Sequence, residues 1–346
     1  LCAMPREDNS GTGREDDPRW DDVRRFLREA TDEEKKKAAE EATRQGYFPL
    51  LVACCCNPPV DVVEALLDAS PETVRRGNDD GMTPLHVTCN EGASEDVVRL
   101  LIEKGGKEVC EAKDDNGDTP LHLACANEAS EELIGLLIDC GGGKKACKAK
   151  NDYGNTPLHK ACNYGASEEI VRLLVERGGK EACEAKGYRG RTPLHYACKH
   201  RASEEIVRLL VERGGKEACE AKDDLGMTPL HFACKYGASE AVIRLLIERG
   251  GKEVCEAKDI CGDTPLHKAC YYGASEEVVR LLVEKGGKEA CSAKDKDGST
   301  PLHVACLEGA SENVVRLLVD FGGEKEACGA KNDDGDTPLH FACMKG

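Results

Sequence analysis

Gly226-Met227-Thr228-Pro229-Leu230-His231-Phe232-Ala233-Cys234 reads as a tight turn, a helix start and the first turn of a helix. Its Thr-Pro-Leu-His core also begins at Thr83, Thr119, Thr156, Thr192, Thr264, Thr300 and Thr337, and a degenerate copy, Phe48-Pro49-Leu50-Leu51, sits one period earlier. After a first interval of 35 residues the spacing is 36 or 37. One supersecondary unit is therefore stacked along the chain, which is the mark of a solenoid.

Each threonine can cap the orphan amides of a helix, and the proline after it fills the first helical position, where a missing N–H costs nothing. Nine or ten residues on, Gly-Ala-Ser-Glu-Glu supplies a second cap, and acids favour the positive end of the helix it starts. That helix carries apolar residues on one face, as over Val97 to Glu103. A Gly-Gly pair such as Gly105-Gly106 stops it. A short loop and then Cys-Glu-Ala-Lys-Asp-x-x-Gly, as Cys219 to Gly226, lead to the next threonine, with Asp and Gly giving turn chemistry.

The string Asp-x-x-Gly-x-Thr-Pro-Leu-His-x-Ala-Cys, the Gly-terminated second helix and the following loop resemble the ankyrin repeat over about residues 46–346. The usual unit has about 33 residues, and the extra ones here fall in Gly-Gly-Lys-Glu-Ala-Cys. The resemblance implies an all-α fold: an elongated, curved α-solenoid with a helix-turn-helix and a hairpin loop per repeat. The expected organisation is a flexible polar segment over 1–18, a helical N-terminal cap over 19–45, eight ankyrin repeats over 46–334 and a C-terminal half-repeat cap over 335–346. In the cap, Trp20, Val23, Phe26 and Leu27 recur at helical spacing and are expected to be buried. The start at Leu1 without a methionine and the end one helix into a repeat suit a fragment or a processed form.

Charged residues make up 33% of the chain, aromatics 4%, and the formal net charge is −17. Most of that charge reads as the solvated outer face of the second helix, which argues against nucleic acid as a partner. The longest apolar run, Phe48 to Cys56, is too short to span a bilayer, so no membrane insertion is expected. No nucleotide-binding glycine loop, nucleophile elbow, HExxH or EF-hand loop is present, so we expect no catalysis, no cofactor and no metal.

Sixteen of the twenty-one cysteines follow the period. Nine lie six residues after the motif threonine or its Phe48 counterpart, where the ankyrin family places a small residue between helices. Seven more precede an Ala-Lys pair by one residue, and Val74 takes that slot in the first repeat. A slot that accepts valine is an apolar packing position, so these thiols read as small core residues. Free thiols in such number point to a reducing, intracellular compartment, cytoplasmic or nuclear. Pairs fifteen residues apart, such as Cys110 and Cys125, also admit a disulfide reading. Eight of the nine histidines belong to Thr-Pro-Leu-His and read as rings bonding the backbone of an adjoining repeat.

In ankyrin proteins the concave face, built from hairpin tips and first-helix side chains, implies the partner site. Those slots vary here while the outer face scarcely changes. They hold Lys160, Tyr196, Phe232 and Lys268 four residues after the threonine, and Tyr164, Lys199, His200, Lys235, Tyr236, Tyr271 and Tyr272 at the end of the first helix. Tyr153, Tyr188, Arg189, Arg191 and Met227 come from the tips, and Arg201 follows His200. Seven of the eight tyrosines fall in these slots. Drift would have scattered aromatics over the outer face as well, and tyrosine and arginine dominate interface energetics.

Few acids, chiefly Asp224 and Asp263, accompany these cations between Lys160 and Lys268. The expectation is a non-catalytic, monomeric protein–protein interaction scaffold that binds an acidic segment in a basic, tyrosine-lined groove. Three other readings stand beside it: a targeting or regulatory fragment of a larger enzyme or channel, an RNA or single-stranded nucleic-acid binder, and a structural subunit of a larger assembly.

Overall fold

A computed structural model of the chain describes residues 18–345 apart from Ala93 and Glu128; the expectation for residues 1–17 lies outside them. The described residues form α-helices and two 3-10 turns, and no strand occurs among them. No helix among them is long and apolar enough to cross a membrane. The chain divides into two compact units, Leu1–Asp152 and Tyr153–Gly346.

In the first unit, helices Pro18–Glu29 and Asp32–Glu40 precede the periodic part. Thr31 caps the second of them reciprocally with Glu34. Trp20 is buried and Arg24 bonds Asp61 at 2.7 Å, which ties the first helix to Val60–Ala69. Phe26, expected in the core, is 44% exposed. The groove it lines with Val23, Leu27, Ala38, Pro49 and Leu66 stays open, so only part of the helix's apolar stripe finds a partner. The unit continues with the first helices Pro49–Cys54, Pro84–Glu91 and Pro120–Ala126 and the second helices Val60–Ala69, Glu95–Gly105 and Glu131–Cys140.

The second unit repeats the pattern with first helices Pro157–Tyr164, Pro193–Lys199, Pro229–Tyr236, Pro265–Tyr271, Pro301–Glu308 and Pro338–Lys345. Each begins at the motif proline, as the cap chemistry requires. The histidine three residues after the threonine completes the cap, its Nδ1 accepting the threonine amide at 3.1 Å in Thr192–His195 and Thr228–His231. Nδ1 being an acceptor, the ring proton sits on Nε2. That proton is donated to the backbone of the next repeat, from His159 to Arg191 at 3.0 Å, from His231 to Asp263 at 3.0 Å and from His267 to Ser299 at 3.2 Å. Leu158, Leu194, Leu230 and Leu266 are fully buried between helices, each contributing about 2 kcal/mol by the area it removes from water.

The structure departs from the sequence reading after the Gly-Gly pair. A short third helix, not a loop, follows: Lys107–Glu111 in the first unit, Lys180–Glu184 and Lys252–Glu256 in the second. The two glycines have different reasons. At Gly251, φ of 78° with an extended ψ turns the chain, a conformation that favours glycine. At Gly250 a Cβ would lie 2.5 Å from a methyl of Val254, so the missing side chain lets the third helix close against the second. Lys180 then bonds Glu184 at 3.3 Å within its short helix and Glu217 of the next repeat at 3.4 Å. The extra residues of the period are spent on this edge.

All twenty described cysteines are free thiols. The period-related ones are buried except for Cys306, Cys328 and Cys343 near the end of the second unit.

Candidate functional site

In the second unit the hairpin tips at Asp223, Asp259 and Asp295 are each set by an aspartate that accepts two backbone amides. Asp223 Oδ1 takes those of Leu225 and Met227, both at 2.9 Å, and Asp259 Oδ1 takes those of Cys261 and Asp263 at 2.8 and 3.0 Å. The Tyr188 tip has Gly187 in the aspartate slot. Asn155, from the preceding tip, reaches into the space left by the missing side chain: its Oδ1 takes the Tyr188 amide at 3.1 Å, whereas the matching amide of Asp224 bonds the Arg189 carbonyl. A Cβ on Gly187 would collide with that oxygen. Arg189 follows at φ 59°, an unusual value for a non-glycine residue, and its guanidinium lies 5.2 Å from the Tyr188 ring centre.

Beside this tip lies a cleft of about 390 Å³, bordered by both Asn155 and Tyr188. Tyr153, Tyr164, Tyr188 and Tyr196 converge on it with Lys160, Arg191 and Lys199. Tyr153 and Tyr188 meet edge to face at 6.0 Å, and Tyr164 is 56% exposed. His159, Asn155 and Asn163 complete the wall. Asn163 stands in one of the varying slots at the end of the first helix, whereas His159 and Asn155 were not expected at the site; the signal for Asn155 was the glycine in the next aspartate slot.

Other expected residues lie elsewhere. His200 Nε2 is 3.1 Å from Asn163 Oδ1. Arg201 donates to the Tyr236 carbonyl. Lys235 stands 5.5 Å from the Tyr236 ring centre and 5.6 Å from that of Tyr272. Tyr271 and Tyr272, 4.9 Å apart, border a different cleft of about 510 Å³ in which Asp295, Asp297 and Asp334 also take part.

Three residues differ from the expected exposed face: Tyr196, Met227 and Phe232 are buried. Tyr196 and Phe232 lie edge-on against His159 and His195 of the preceding repeat, at 6.0 and 5.2 Å. An aromatic ring in this slot covers the neighbour's histidine, which removes most of its surface from solvent. Burial pushes the Tyr196 phenol up, its edge alone reaching the cleft.

The basic groove is also shorter than the residue count suggests. Lys268 bonds Asp259 at 2.9 Å and Asp263 at 2.5 Å. Desolvation lowers its pKa, the two carboxylates more than offset this, and the net direction is up. Arg191 lies 3.5 Å from the buried Asp223 and 5.0 Å from the Phe232 ring centre. These two cations are neutralised internally, and the stretch beside Tyr271 and Tyr272 is acidic.

Asp263, His267 and Asp295 come close enough to suggest a metal site. His267 does not suit that role, because Nδ1 accepts from Thr264 and Nε2 donates to Ser299.

Comparison with known families gives two matches. A model described as ankyrin repeats in three copies matches residues 50–148, 126–219 and 215–294. A second, described as ankyrin repeats in many copies, matches residues 282–342. No curated protein matches the chain. Among solved structures, the ankyrin repeat domain of Bcl-3, described as a unique member of the IkappaB protein family, is similar at 32% identity with a TM-score of 0.53. That match covers 66% of this chain and 95% of the other.

Proposed function

The chain belongs to the ankyrin-repeat family, and on that premise we propose that it is a non-catalytic scaffold that holds an acidic segment of a partner protein against the tyrosine cleft of the second unit. The observation that carries this reading is the convergence of Tyr153, Tyr164, Tyr188 and the edge of Tyr196 on one cleft with Lys160 and Lys199. Tyrosine gives a large rigid contact at low entropy cost, and cations at the rim steer a carboxylate-rich chain. The cleft narrows the expected groove to residues 153–199, with Lys235 and Tyr236 as its extension. Tyr271, Tyr272 and Lys268 fall outside it, because the carboxylates around them would repel the same ligand.

Capture from a native lysate with the chain, beside a Tyr153→Ala, Tyr164→Ala, Tyr188→Ala variant, tests the reading. Each exposed anchor contributes about 1–2 kcal/mol at a typical hot spot, so a partner retained by the parent should be lost by the variant. Equal retention by both overturns the site. Capture of nucleic acid in place of protein overturns the partner class.

A further inference from the structure

In the first unit one repeat departs from the others twice at the same place. Its second helix, Glu131–Cys140, is followed by Gly141-Gly142-Gly143 where other repeats have a Gly-Gly pair, and its third helix is reduced to Lys144–Cys147. Gly142 and Gly143 have φ of 90° and 62°, so the inserted residue is taken up by left-handed backbone that shifts the short helix. The second departure is charge. Lys145 and Lys148 stand where neighbouring repeats carry Glu108 and Glu111, or Glu181 and Glu184.

The two changes produce one feature, a cleft of about 690 Å³. Five exposed lysines, Lys113, Lys144, Lys145, Lys148 and Lys150, border it. Its one carboxylate, Glu111, is held by Lys107 at 3.1 Å and Lys145 at 2.7 Å. Cys110, Ala146 and Ala149 give an apolar floor. In a chain of net charge −17 this is a local reversal of sign placed on a concavity of ligand size.

We infer that this cleft is a second binding site, independent of the tyrosine face, for an acidic peptide segment carrying an apolar side chain. The apolar group sits on the Cys110, Ala146 and Ala149 floor, and flanking carboxylates meet the lysine rim. The floor favours a peptide over a phosphate cluster, which would leave those apolar atoms uncovered. Lysine ammonium groups at the end of flexible stems can reach carboxylates of varied geometry, so the site selects charge and one anchor rather than a rigid shape.

The test is selection of displayed random dodecapeptides on the full chain, followed by affinity measurement of the enriched peptides on variants. K145E with K148E restores the residues of the neighbouring repeats, and K144Q with K148Q removes charge without reversing it. The enriched peptides should be acidic with an apolar residue. Their affinity should fall at least about tenfold in both variants at unchanged Tm, and weaken with added salt. The Tyr153→Ala, Tyr164→Ala, Tyr188→Ala variant should retain these peptides, which separates this site from the tyrosine cleft. Peptides lost only in the tyrosine variant, or equal affinity for parent and lysine variants, would overturn the inference. So would binding of inositol hexakisphosphate that needs these lysines while no peptide does.

Discussion

His195 donates its Nε2 proton to the carbonyl of Met227, 32 residues further along the chain, at 3.0 Å. The same ring accepts the Thr192 amide at 3.1 Å through Nδ1. One neutral imidazole thus closes the start of its own helix and fastens the next repeat, and both bonds require that neutral tautomer. A second proton would displace the acceptor at Nδ1.

Stability should therefore fall on mild acidification. Burial pushes His195 from 6.5 down to about 3 and His231 to about 4. Above 6.5 neither the native nor the unfolded ring is charged, and the contribution is complete. Between 6.5 and the native values the unfolded chain takes up protons that the native one refuses, so stability drops as pH drops. Each of these two rings should cost about 2 kcal/mol by about pH 5. Urea unfolding midpoints measured from about pH 7 to about pH 5 should decrease steadily, and a flat profile would contradict the neutral buried rings.

The period, the caps and the helix starts were legible because Thr-Pro-Leu-His joins three local rules at one place. Other features depend on which side chains meet across repeats. Lys160, Tyr196, Phe232 and Lys268 occupy one sequence slot, yet the aromatics fold onto the preceding histidine and Lys268 turns to Asp259 and Asp263. Nothing in the slot itself distinguishes these outcomes. The short third helix was hidden for a different reason: glycine signals a stop, and the pair at Gly250-Gly251 also permits an immediate restart.

Gly286→Ala should separate the two roles of such a pair. A Cβ there would lie 2.5 Å from the Ala290 Cβ, a rigid neighbour that cannot swing aside. Overpacking of this kind costs about 1–3 kcal/mol. Denaturant titration should show that loss, and unchanged stability would mean that the third helix is not held closely to the second.

Thiol reactivity should follow burial. Cys55, Cys56 and Cys261 are exposed, whereas Cys183 and Cys219 are buried and pushed up to about 12 by desolvation. Only a thiolate reacts readily, so brief alkylation with iodoacetamide at neutral pH should label the first group and spare the second. Mass spectrometry of the digested protein reads the pattern. Labelling of Cys183 or Cys219 at the rate of Cys261 would show that the repeats open.

Asn155 and Gly187 should be coupled. Gly187 lacks the carboxylate that caps the tips at Asp223 and Asp259, and Asn155 Oδ1 occupies the space a Cβ would take while accepting the Tyr188 amide at 3.1 Å. Asn155→Ala alone leaves that amide without its side-chain acceptor, at about 1 kcal/mol. Gly187→Asp alone brings the usual acceptor into a position already filled, and should destabilise by forcing the asparagine out. Together the changes fit, because the new carboxylate can cap the tip as Asp223 and Asp259 do and the shortened residue no longer blocks it. The double variant should therefore be more stable than the sum of the single losses, by about 1 kcal/mol or more in a double-mutant cycle. Strict additivity would mean that Asn155 and a side chain at position 187 do not compete for the same space, and the Tyr188 tip that borders the cleft would need another support.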